Sequence, residues 1–113
     1  MTEPNHILGS FERALTQLSD DIIEMGNKVE GCFEMAVHGL VRRDTDLCNQ
    51  VVADDEEIDQ FEKDIDRQGM QIIALYNPVA HDLRKVISAM KVSNNLERVA
   101  DQARRAATVS LSS

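Results

Sequence analysis

Tryptophan is absent from this chain of 113 residues, aromatic residues make up 4% of it, and the only prolines are Pro4 and Pro78. A sandwich or barrel of many short strands needs turn residues at frequent intervals, so this scarcity argues against one and favours long helices. There are two cysteines, Cys32 and Cys48, without a Cys-x-x-Cys or Cys/His ligand spacing, which excludes a zinc finger. Cys32, set among apolar neighbours, reads as a small core residue. No apolar run reaches membrane-spanning length, and the opening MTEPNHILGSF lacks a basic signal-peptide region. The expectation is a cytoplasmic protein with no direct membrane insertion. Basic charge is also sparse, and Arg104–Arg105 is too small a cluster to bind phosphate backbones, so nucleic acid is excluded as a partner.

What the chain does have is acid, and it is concentrated. The net charge is −8, and the segment DDEEIDQFEKDID, residues 54–66, carries eight acids and one lysine. The remainder is close to neutral, so one segment holds nearly all the asymmetry. Hydrophobic residues at 42% are enough for one core. We expect a single domain over residues 1–113.

Apolar residues recur at spacings of three and four through Leu15, Leu18, Ile22, Met25, Val29, Cys32, Ala36 and Leu40, which predicts a helix from about Ser10 to Arg43. Gly26, Gly31 and Gly39 interrupt it, as close packing against a neighbouring helix would require. Asp44 or Thr45 can cap a second helix with the stripe Leu47, Val51, Ile58, Phe61, Ile65, Ile72 and Leu75; Asp54 and Gln68 fill its two polar seam positions. Asn77 as cap and Pro78 at the first turn start a third helix, from about Val79 to Leu111. Its inward residues are Leu83, Val86, Ile87, Met90, Leu96, Val99, Ala100, Ala103 and Ala107. Short connections make neighbours in sequence neighbours in space, so the fold class is all-α, an antiparallel three-helix bundle.

Two carboxylate patterns break the apolar faces. On helix three the stripe Leu83, Ile87, Met90, Asn94 runs into Glu97 and Asp101, four residues apart on one face. On helix two Asp55, Asp59, Glu62 and Asp66 form an acidic stripe beside the apolar seam. Facing helices would bring these acids together, and carboxylates so placed must be protonated, solvated or neutralised by cations. Oxygen-only ligands favour hard ions. Neither Glu97 nor Asp101 has a histidine at the offset of a di-iron bundle, which argues against oxygen activation. The residues equally allow a solvated acidic face with local pairs, Asp101 to Arg105 and Asp59 to Lys63. His81 beside Asp82 looks like an acid–base pair, but adjacent helix residues point apart, so His81 reads as exposed and Asp82 as a first-turn acid.

The blocks Pro78-Val79-Ala80-His81-Asp82-Leu83-Arg84 and Leu96-Glu97-Arg98-Val99-Ala100-Asp101 resemble the PVAxDLR and LERxxD blocks of the PhoU family of phosphate-signalling regulators. The opening IIEMGNKVEGCFEMAV resembles that family's first helix. The resemblance implies three-helix bundles, usually two in tandem, and this chain corresponds to one. It also implies a metal motif, an acid followed four residues later by Asp on two helices, matched here by Asp55 with Asp59 and Glu97 with Asp101. Those four are the implied ligands of iron or zinc, a multinuclear cluster included, with Glu62 and Asp66 as second choice. The implied role is a regulatory adaptor, not an enzyme, that links a phosphate ABC transporter to a sensor histidine kinase and restrains phosphate-starvation signalling. A homodimer could recreate the six-helix arrangement. The alternatives are a metal-free helical interaction module and, in a different class, a carboxylate-bridged metalloenzyme.

Overall fold

The computed structural model describes the backbone of residues 4–112 and the side chains of residues 9–112. Residues 1–3, part of the opening segment read above for a signal sequence, lie outside the described residues. Three helices make up the fold: α1 (Pro4–Arg42), α2 (Thr45–Tyr76) and α3 (Ala80–Ser112). They form an antiparallel bundle about 62 × 19 × 16 Å, consistent with the expected all-α class. Helix α1 begins six residues before the predicted Ser10 and continues through all three internal glycines. Among the described residues no helix is long and apolar enough to cross a membrane.

The two turns are defined by capping. Arg43 takes the left-handed conformation, φ 52°, and the Asp44 N–H reaches back to the Gly39 carbonyl at 2.9 Å, which ends α1 without a glycine in the left-handed place. Asp44 then starts α2, its side chain accepting from the Leu47 N–H at 3.2 Å, as its residue type predicts. At the second turn Asn77 closes α2, with φ 40° and its N–H on the Ile73 carbonyl at 3.1 Å. This corrects its expected role as the cap of α3. Helix α3 starts at Ala80, so Pro78 and Val79 belong to the connection.

The core holds Leu18, Met25, Val29, Cys32 and Ala36 of α1, Cys48, Val51, Ile58, Ile65 and Ile72 of α2, and Val86, Ala100, Ala103 and Ala107 of α3. Ser93, polar and therefore not expected inside, is fully buried in the row Val86–Ser93–Ala100–Ala107, where its hydroxyl donates to Met25 Sδ at 3.5 Å. Ile87 and Val99, expected inward, flank that row by one position and are 39% exposed. Leu75, also expected in the core, is 75% exposed and lines an open groove with Ala14 and Gln17 of α1. Leu40 is exposed at the end of α1, while its neighbour Gly39 packs so closely on α2 that a Cβ there would meet Cys48 Sγ at 2.9 Å. Gly31 has nothing near it, so the packing explanation fits Gly39 and not every glycine. The polar seam residue Gln68 is satisfied across helices, donating to Asp21 at 2.6 Å.

Candidate functional site: the acidic seam between α2 and α3

Residues seven apart recur on nearly the same side of a helix. On α2 one such row reads Cys48, Asp55, Glu62, Gly69; on α3 the opposing row reads Met90, Glu97, Arg104, Leu111. Antiparallel packing pairs them in order. Gly69 lies against Met90, so close that a Cβ would meet its Sδ at 2.5 Å. The next layer sets Glu62 near Glu97, and the one after joins Asp55 to Arg104 at 3.2 Å. At the end Cys48 and Leu111 line one cleft together with Leu40 and Val109. Two apolar layers therefore bracket two charged ones.

Arg104 is the residue that sequence reasoning missed. Its Nε pairs with Asp55 of α2, and its guanidinium donates to Asp101 at 2.8 Å, so one cation spans both helices. Asp101 also takes the expected pair with Arg105, at 2.9 Å. These hydrogen bonds, Arg104's first and then the charge of Arg105, hold the Asp101 carboxyl below the usual aspartate range. The expected Asp59–Lys63 pair does not form among the described residues.

In Asp55, Glu62 and Glu97 the balance runs the other way. Burial pushes Asp55 up, and Asp59 adds to this, against the pull of Arg104. One Asp55 oxygen, Oδ1, is buried and accepts no hydrogen bond. Glu97 is pushed up by burial, then by Glu62, and by a hydrogen bond shared with Asp59. Glu62 rises through burial and its neighbours Asp66 and Asp59, against the pull of Lys63. The structure thus places Asp55, Asp59, Glu97 and Asp101 along one seam, with Glu62 between them and Asp66 beyond it.

The donor set is entirely carboxylate oxygen, which suits a hard cation. The unpartnered Asp55 oxygen and the like charges of Glu62 and Glu97 also fit a positive group. Among the described residues, however, no three carboxylate, imidazole or thiolate groups converge as metal ligands would. The positive group present at the seam is Arg104.

The PhoU domain model matches residues 22–109, which takes in all three helices and both acidic stripes. The chain belongs to the PhoU family. A phosphate-specific transport system accessory protein PhoU homolog of Zymomonas mobilis is 40% identical over 106 residues, 94% of this chain and 45% of the relative. The homolog from Caulobacter vibrioides is 36% identical over 92% of the chain and 44% of its own length. PhoU homolog 1 of Thermotoga maritima is 37% identical over 80% of the chain and 39% of its own length. The chain therefore spans less than half the length of these PhoU relatives.

Proposed function

We propose that this PhoU chain is a cytoplasmic regulatory adaptor of phosphate uptake and phosphate-starvation signalling. In this reading it contacts components of a phosphate ABC transporter and a sensor histidine kinase and carries out no turnover of its own. The observation that carries it is similarity along nearly the whole chain to proteins named as accessory to phosphate-specific transport. Affinity capture of the tagged chain from phosphate-replete cells is expected to recover transporter or kinase components. Recovery of neither, with starvation-responsive transcription unchanged on deletion, rejects it.

Metal binding is the second part of the proposal. Asp55, Asp59, Glu97 and Asp101 would hold iron or zinc, with Glu62 and Asp66 as second choice, once side-chain movement draws them together and frees Asp55 and Asp101 from Arg104. A bound cation would supply charge neutralisation across the seam. Iron or zinc that binds only the folded state should raise its melting temperature. A melting temperature unmoved by either metal favours the metal-free interaction module, a reading supported by the neutralisation Arg104 already provides.

Pairing of two copies is the third part. Phe33, Val37 and Val41, spaced by four along α1, are exposed, as are Val92, Val99 and Val109 of α3. Apolar positions on two neighbouring helices suit a second bundle, and two copies would supply the six helices that the family resemblance implies. Analytical ultracentrifugation is expected to give twice the chain mass; a monomer at all concentrations rejects the pairing.

A further inference from the structure

We infer that two copies pair about an axis parallel to the bundle, with each α1 lying along α3 of the other copy. The inference rests on the proposed pairing and adds which helices meet and which charges select them. Contacts inside the bundle fix the free side of each helix. On α1, Asp21 accepts from Gln68 of α2 and Lys28 pairs with Glu57 of α2, whereas Gly26 lies against Leu96 of α3. Round from Gly26, away from α2, the exposed apolar residues of α1 are Ile23, Phe33, Val37 and Val41. On α3, Met90 and Arg104 turn towards α2, which leaves exposed Val92 and Val99 on the side shared with α1.

Charge divides this face by sign. The open side of α1 carries exposed Glu30 and Glu34 and no base. The outward side of α3 repeats an exposed base every seven residues, at Arg84, Lys91, Arg98 and Arg105, and carries no acid. Glu30, Glu34, Lys91 and Arg98 form no ion pair among the described residues, so one copy leaves both signs unmatched. Met25 meets Ser93 and Gly26 meets Leu96, so Glu30 stands level with Arg98, and Glu34 with Arg105, to within a turn. A two-fold axis along the bundle keeps every residue at its own height and exchanges the two helices of the face. It lays Glu30 and Glu34 of each copy beside Arg98 and Arg105 of the other. A two-fold axis across the bundle would instead stack α1 on α1 and α3 on α3, acid against acid and base against base. The apolar residues allow both arrangements, and charge selects the first. A side of the bundle, about 62 by 16 Å, exceeds the roughly 800 Å² per partner that a specific interface buries.

Sedimentation equilibrium tests this on the unaltered chain, Glu30→Lys, Arg98→Glu and the chain that carries both. Both residues are exposed, so the reversals leave the core untouched. Each single reversal turns two symmetry-related contacts repulsive and should weaken pairing about tenfold. The combined chain again sets acid opposite base and should recover most of the lost affinity. Equal affinity in all four chains overturns the arrangement and leaves the pairing intact, because like charge on like charge is insensitive to a change of sign. A combined chain that pairs no more tightly than the single variants overturns the arrangement as well. Monomers at every concentration in all four give the face to another occupant, and overturn the inference and the proposed pairing together.

Discussion

Between α2 and α3 the same two helices meet in two different ways. At the Gly69–Met90 layer a missing side chain on one helix accepts a long flexible one from the other. Two layers on, Asp55 and Arg104 meet, and between them Glu62 and Glu97 confront each other. The first contact excludes water by shape. The second depends on which protons and cations are present. A single seam can therefore be rigid at one end and responsive to its ionic surroundings further along.

Removing mass from the packed core should cost most. Ile65→Ala, at a position with no exposure in the core beside both contacts, is expected to destabilise by about 2–5 kcal/mol in urea unfolding. A loss below 1 kcal/mol would show that the seam can collapse around the void. Adding mass at the tight layer should cost somewhat less. Gly69→Val drives branched carbons into Met90 and is expected to cost roughly 1–3 kcal/mol. Met90→Ala in the same chain should recover part of that, and no recovery would break the assignment of Met90 as the close neighbour.

The charged layers should instead announce themselves through pH. Asp55, Glu62 and Glu97 are pushed up in the folded state, so the folded chain holds their protons more tightly than the unfolded one. Their contribution to stability therefore falls as pH rises from the unfolded values of about 3.9 for Asp and 4.3 for Glu through their higher folded values. Asp101 runs the other way: its contribution is present above about 3.9 and is lost as pH falls through its lowered folded value. The melting temperature followed by circular dichroism should rise on acidification from neutral pH, pass a maximum, and drop in stronger acid. A steady fall from pH 7 downward would contradict the raised Glu62 and Glu97 carboxyls. The smallest effect belongs to Glu97→Gln, which replaces a charge by a donor for Asp59 and Glu62. It should stabilise at pH 7 by roughly 0.5 kcal/mol, the scale of a partly solvated charge pair, and flatten the acid-side rise.

The helices were legible because their signals are local. Apolar spacing located the core of α1, and Asp44 announced the start of α2 by residue type. The second turn misled because Asn77 and Pro78 suit either the end of one helix or the start of the next, and the left-handed backbone at Asn77 decides for the former. Leu75 and Ile87 were misplaced because a stripe shows which side of a helix is apolar, not how large the opposing residue is. Arg104 was missed for a related reason. The acidic stripe alone ends at Asp101, whereas seven-residue steps from Met90 lead through Glu97 to Arg104. Setting that row against Cys48, Asp55, Glu62 and Gly69 in antiparallel order would have found the pairing from sequence.

The glycine at position 69 has a consequence for alignment. Were α3 to slip by seven residues, Arg104 would come opposite Glu62 in place of Glu97, and an attraction would replace a repulsion. That slip would bring the Glu97 carboxylate over the hollow where the thioether now sits, and strand the methionine near Tyr76. Steric fit therefore overrules electrostatic preference in choosing how the two rods line up, and the unrelieved repulsion is a by-product of that choice.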